Sequence, residues 1–197
     1  MMMRVEPVTL EGLHIRLAPL TLSHHAALCE VGLDERLWQL TTIRLKTAED
    51  MFRYIQAALQ AQAEGLALPF VMIDKASEQI VGTSRYHHIN PTHRRLEIGF
   101  TWIAVPWQRT RVNTEAKYLM LKQAFEAYQC VRVEFKADAS NEPSCRALLR
   151  IGARQEGILR QYVVSNHKGV RDLALFSIID REWPEVKANL EKMLQRV

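Results

Sequence analysis

A chain of 197 residues can bury a proper core, and an ordinary composition, 48% hydrophobic and 24% charged, excludes a disordered protein. The net charge of +4 and pI near 9.1 are too small an excess to indicate nucleic acid, though they suit an anionic small ligand. No run approaches the ~18 apolar residues of a membrane helix, MMMRVEPVTLEG lacks the apolar core of a signal peptide, and an odd set of cysteines (Cys29, Cys130, Cys145) without regular spacing argues for a reducing cytoplasm rather than a disulfide framework.

In chain order, Leu13–Leu17 alternates as a short strand, and Thr21 to about Val31 reads as a helix capped by Thr21 or Ser23. Thr47-Ala48-Glu49-Asp50 has the form of a capping box and opens a helix that runs to about Glu64 and stops at Gly65. Leu68–Asp74, Gln79–His88 and Arg94–Val105 then read as strands, separated by the turn-like KASE and NPTH, which suggests an antiparallel meander. From about Asn113 to Tyr128 the apolar stripe Leu121, Ala124, Phe125, Tyr128 marks a helix. Val131–Asp138 alternates again, with Val133, Phe135 and Ala137 on one side and Glu134, Lys136 and Asp138 on the other. Asn141 caps a short helix with Pro143 in its first turn and Gly152 past its end. Strands near Gln155–Val164 and Asp172–Ile179 and a helix from Glu182 to Gln195 complete the chain.

No repeat or Gly/Ser linker interrupts residues 1–197, which read as one domain. The element order predicts an α/β class fold of the mixed α+β kind. Its central sheet is mixed and mostly antiparallel, with about seven strands flanked by helices. In such sheets ligands sit at the carboxyl ends of strands where neighbours diverge, which is where VPWQRTRVNTEAKYLMLKQAF begins. A helix N-terminus offers free N–H groups to a phosphate, reinforced here by Arg109 and Arg111, with Asn113 expected to cap the helix. Taken alone, a loop without glycine reads as a solvated basic connection.

Three segments in order, EIGFTWIAVPWQ, VEFKADASNEPSCRALLRIGARQEGILR and GVRDLALFSIIDREW, resemble the GNAT acetyltransferase superfamily, and most closely its RimJ/RimL branch of ribosomal-protein N-terminal acetyltransferases. The resemblance covers most of the chain and is strongest from Glu97 to Arg160. It implies acetyl-CoA as co-substrate and a primary amine as acceptor, on a protein N-terminus, an amino acid or a small amine, attacking directly in a ternary complex. It also implies that exposed backbone at Ile103, Ala104 and Val105 pairs with the pantetheine arm. By the same resemblance Gln108, Arg109, Thr110, Arg111, Val112, Asn113 and Thr114 wrap the pyrophosphate, Asn141 approaches the arm, and Ser144 lies near the thioester sulfur, where a hydroxyl can protonate the departing thiolate. Ser144, Ala147, Leu148 and Ile151 share one stripe, so Ser144 points inward.

The family pattern has small residues where this chain has Arg111 and Asn113. If position 111 needs left-handed backbone, an arginine costs roughly 1–2 kcal/mol over glycine. Arg111 either fills the phosphate site or supplies a charge-assisted bond of roughly 1.5–3 kcal/mol. The first outcome would make the chain a non-catalytic binding or sensor protein. Glu97, in RRLEIGF, is the candidate base; the alternative is a surface carboxylate paired with Arg94 or Arg95. His87 and His88, adjacent on a strand, should point to opposite faces, which argues against a metal site. Cys145, in a first helical turn where a thiol pKa can fall, reads as packing. No nucleic-acid or membrane partner is expected, and a homodimer is left open.

Overall fold

The computed structural model describes residues 3–165 and 167–195. The chain opens with β1 (Leu10–Glu11) and β2 (Ile15–Pro19). Where one helix was expected from Thr21, a 3-10 turn at Leu22–His24 precedes α1 (His25–Gly32), because the His24 ring folds back on the Thr21 N–H at 3.1 Å. The capping box opens α2 (Ala48–Ala63): Thr47 Oγ1 accepts the Asp50 N–H at 3.1 Å and the Asp50 carboxylate accepts the Thr47 N–H at 3.0 Å. The meander follows as β3 (Ala67–Asp74), β4 (Ile80–Asn90) and β5 (Arg95–Ile103).

Next comes α3 (Val112–Lys122), whose last turn widens into a π turn at Gln123–Ala127. β6 (Arg132–Asp138), α4 (Glu142–Arg150), β7 (Arg154–Ser165), β8 (Gly169–Ile179) and α5 (Trp183–Gln195) follow. Asn141 Oδ1 accepts the Ser144 N–H at 3.1 Å, and Gly152, at φ +94°, ends α4 as its sequence position predicts.

The strands form one sheet in the order β1-β2-β3-β4-β5-β6-β8-β7. Among the described residues, eight strands replace the expected seven because β1 pairs Leu10 with Leu17 over two residues, too few to show alternation in the sequence. Every neighbouring pair is antiparallel except β5 with β6.

The two faces are covered differently. On one, α3 and α5 close a continuous core that includes Ile15, Phe70, Tyr86, Met120, Phe135, Phe176 and Leu190. On the other, α1 and α2 cover Val71, Ile73 and Trp102 with Leu28, Trp38, Met51 and Ile55. This second core takes no buried apolar residue from β6, β7 or β8 among the described residues. Each fully buried side chain of this kind contributes roughly 1.5–3 kcal/mol, so both cores hold the β4–β5 pair, while α1 and α2 leave the far half of the second face uncovered.

Candidate active site

The parallel pairing of β5 with β6 is brief: Arg95, Leu96 and Glu97 are in register with Arg132, Val133 and Glu134. Beyond Glu97, β5 follows β4 while β6 follows β8 out to Asp138, so the two part into a wedge. A bulge helps to turn β5 away. Thr83 faces Trp102 but Arg85 faces Gly99, so β5 carries one extra residue, and Phe100 takes φ +50°. The Trp102 carbonyl points at β4; a Cβ on Gly82 would lie 2.2 Å from it, which is why only glycine fits there. Alternation then turns the Ile103 backbone groups away from β4, into the wedge.

The strand ends at Ile103, two residues earlier than the sequence suggested. Ala104 gives its N–H to the Val81 carbonyl at 2.8 Å, and Val105 begins a 3-10 turn to Trp107. Of the three residues expected to expose backbone, Ile103 faces the gap, and its carbonyl accepts from Gln108 Nε2 at 3.0 Å.

The loop after the strand also departs from expectation. Arg111, not Asn113, is the N-cap of α3, and Asn113 lies inside the helix. Thr110 does the local bonding: its hydroxyl donates to the Trp107 carbonyl at 2.6 Å and accepts the Val112 N–H at 3.3 Å. Arg111 has φ −72°, so it bears no left-handed strain; the left-handed residue is Arg109 at φ +61°. The Arg111 guanidinium reaches His14 Nε2 at 2.8 Å. That contact follows from Glu115, whose carboxylate takes the N–H groups of Leu13, His14 and Ile15 and pins β2 to α3. The first helical bond runs from Glu115 N–H to the Arg111 carbonyl, leaving earlier N–H groups at the helix mouth. Arg150 of α4 adds a third guanidinium, bonded to Thr114 Oγ1 at 2.9 Å. A strand edge that no neighbouring strand pairs, running into amides and arginines, fits an extended ligand that ends in a diphosphate.

At the apex of the wedge stands Glu97, 3% exposed. Lys136 of β6 donates to Oε2 at 2.5 Å, so neither Arg94 nor Arg95 is its partner; Arg95 pairs with Glu134. The two histidines do not point to opposite faces. A second bulge, with one extra β4 residue between the pairs His87–Glu97 and Asn90–Arg95, sets His88 at φ +48°. Both rings then reach Glu97: His88 Nδ1 lies 3.0 Å from Oε2, and His87 Nε2 lies 3.3 Å from Oε1, too poorly aligned for a hydrogen bond. Gly99 makes this room, since a Cβ there would lie 2.4 Å from His87 Nε2.

Burial opposes the charged form of Glu97, yet His87 and Lys136 outweigh it and hold the carboxyl down to about 2. Burial lowers the His87 pKa, against the pull of Glu97. The three donor atoms lie within 4.8 Å of one another, a spacing that could admit a cation, but one there would have to displace the Lys136 ammonium. The His88 side chain is 62% exposed. It opens into a cavity of about 520 Å³ that Arg95, Glu134, Lys136, Tyr162 and Leu175 also line, on the half of the sheet that α1 and α2 leave bare.

On the far side of the wedge, Ser144 is half-buried in the first turn of α4, its stripe inward as expected. Asn141 caps that turn and donates Nδ2 to the Leu40 carbonyl at 3.0 Å, tying α4 to the loop before α2. Burial raises the Cys145 thiol pKa, contrary to the lowering its helical position suggested, and its Sγ packs on the Asp138 carbonyl.

Sequence reasoning missed Lys136 and Lys117. Alternation places Lys136 beside Glu134, on the face opposite Val133 and Phe135, but nothing local named its partner. Lys117 was readable: it lies four residues before Leu121, on the buried stripe of α3, and a lysine on an apolar stripe is a signal.

The family described as "Acetyltransferase (GNAT) domain" matches residues 14–154. An uncharacterized N-acetyltransferase of Bacillus licheniformis, p20, is 26% identical over 179 residues, 89% of this chain and 98% of the relative. The crystal structure of a GCN5-related N-acetyltransferase from Brucella melitensis superposes with a TM-score of 0.89 at 30% identity, covering 98% of this chain and 87% of that one. Mycobacterium smegmatis RimJ, in complex with CoA-disulfide, shares the fold at a TM-score of 0.81 and 23% identity, over 96% of each chain. With the splayed strands, the loop and the match over residues 14–154, the chain belongs to the GNAT family of N-acetyltransferases.

Proposed function

We propose that this protein moves the acetyl group of acetyl-CoA to the primary amine of a small molecule or peptide, with both substrates bound together and the amine attacking directly. The observation that carries the reading is the Glu97–His88 pair, which joins the apex of the wedge to the open cavity on the other side. Acetyl-CoA, when bound, supplies an activated thioester. Ile103, the loop Gln108–Thr114, Asn141 and Ser144 are the residues that would hold it, the first by its open strand edge and the loop by its amides and guanidinium groups. The shared fold of RimJ, whose structure contains CoA-disulfide, supports this assignment.

An acceptor ammonium must lose a proton before it attacks. An α-amine, with an ordinary pKa of ~7.7–8.0, needs less help than a lysine at ~10.4. Glu97 is ionised and can only accept a hydrogen bond, so a neutral His88 carries its hydrogen on Nδ1 and leaves Nε2 bare. We assign His88 Nε2 as the base, and Glu97 as the positioning residue that fixes the ring. Lys136 and Glu134, both at the cavity wall, would orient the acceptor's remaining polar groups.

The test is calorimetric titration with acetyl-CoA, followed by acetyl transfer to a panel of α-amines and lysine peptides. Saturable binding and turnover of an α-amine are expected. Absence of binding by the folded protein would overturn the reading.

A further inference from the structure

Lys117 sits in the second turn of α3 with its side chain turned to the sheet; the residue is 5% exposed. Its Nζ donates to Thr101 Oγ1 on β5 at 2.8 Å and lies 6.0 Å from the centre of the Phe135 ring on β6. Thr101 Oγ1 in turn shares a hydrogen with Ser84 Oγ at 2.7 Å. Both strands therefore contribute to its surroundings beyond the point where they part, which lodges the amine in the wedge. Among the described residues no carboxylate lies within ion-pair distance, and the amine is faced by hydroxyls and an aromatic ring. A buried amine without a counter-charge is costly, and a methionine of similar length would fill the space without that cost. The proposed reaction makes no use of this amine.

We propose that Lys117 is a self-acetylation site, its amine accepting the acetyl group of acetyl-CoA held in the wedge. The inference rests on the acetyltransferase reading. The neutral nitrogen attacks the thioester carbonyl carbon. A C–N bond forms, the C–S bond breaks, and the proton that nitrogen loses ends on the sulfur of coenzyme A. The product is Nε-acetyl-lysine, uncharged, whose amide N–H can still donate to Thr101. Burial holds the Lys117 amine down to about 7, so a large share of it is nucleophilic near neutral pH.

The experiment is incubation of the full chain with acetyl-CoA, followed by intact mass measurement and peptide mapping of the wild type. One acetyl group per chain is expected, at Lys117, ahead of the exposed Lys46, Lys75 and Lys192. Protein unfolded in urea should show no such preference. Lys117→Arg and Lys117→Met should both lose the modification. Coenzyme binding and transfer to free amines are measured on the same sample. A protein that binds coenzyme and acetylates free amines but leaves Lys117 unmodified overturns self-acetylation and leaves the acetyltransferase reading standing. Acetylation of Lys117 without turnover of any free amine upholds the inference and overturns the acceptor reading. Equal modification of exposed lysines would reduce the effect to nonspecific chemistry and overturn it.

Discussion

Glu97 and Lys117 flank the same wedge on opposite faces of the sheet, and both are almost fully buried. Glu97 has an ammonium at 2.5 Å and two imidazoles beside it; Lys117 has a neutral hydroxyl. One carboxyl is held down to about 2, locked in its charged form, while the other group falls to about 7, at the edge of losing its charge. Burial pushes any ionisable group toward neutrality, and it is the partners that decide whether a charge survives. A locked charge can orient a neighbour. A labile amine can react.

The largest effect should come from the ring that the locked charge holds. His88→Gln is expected to lower kcat by about 10²–10⁴ with acetyl-CoA affinity unchanged, and to leave the melting temperature nearly unmoved because the side chain is 62% exposed. Wild-type turnover in that variant would remove His88 from the chemistry. Lys136→Met strips Glu97 of its ammonium and should cost on the order of 3 kcal/mol in urea unfolding. It should also move the acid limb. Because the Glu97 pKa falls from 4.5 to about 2 on folding, wild-type stability is full above about pH 4.5 and lost as pH falls toward 2. In the variant the folded-state pKa lies closer to 4.5, so this acid-induced loss should be smaller and complete at a higher pH.

For Lys117 the sign reverses. The unfolded chain holds this proton up to about 10.5 and the folded chain only up to about 7, so the unfolded state binds more protons between those values and wild-type stability rises with pH across the window. Lys117→Met removes the buried charge. It should be more stable than wild type by about 2 kcal/mol at pH 6, and the gap should close toward pH 10.5. A constant gap across that range would show that the amine does not titrate there. Gly99→Ala is a smaller disturbance of the partnered side: its Cβ would meet the His87 ring, and a loss of about 1–2 kcal/mol is expected. Thermal melts would read it, and an unchanged melting temperature would mean that the ring moves aside freely.

Much of the fold could be read from local chemistry. The Thr47–Asp50 box, the Asn141 cap, Gly152 and the alternation of VRVEFKAD each stand where their residues suggest, because each is satisfied within a few residues of chain. The site was less legible. Both bulges put a non-glycine residue, His88 or Phe100, at positive φ, so no turn residue marks them. They are imposed by pairing with the neighbouring strand, and they overturn the simple alternation that separated His87 from His88. The partner of Glu97 comes from β6, 39 residues away, and no local pattern could have named Lys136 over Arg95. Lys117 is the opposite case: a lysine on the apolar stripe of α3 is a signal that the sequence itself carries.

The same distinction between local strain and distant partners decides what the glycine-free loop does. A glycine at position 111 would be favoured if the backbone there were left-handed, but Arg111 lies in the right-handed region at the N-cap of α3. The substitution therefore relieves no strain. It removes a guanidinium that His14 holds at the helix mouth, where a half-buried charge facing a phosphate is worth about 1 kcal/mol. Arg111→Gly should thus weaken acetyl-CoA binding, by about fivefold, without abolishing it. Arg109, at φ +61°, bears the strain instead. Arg109→Gly should stabilise the fold by about 1 kcal/mol. Tighter coenzyme binding by Arg111→Gly, measured calorimetrically, would mean that its side chain obstructs the phosphates rather than meeting them.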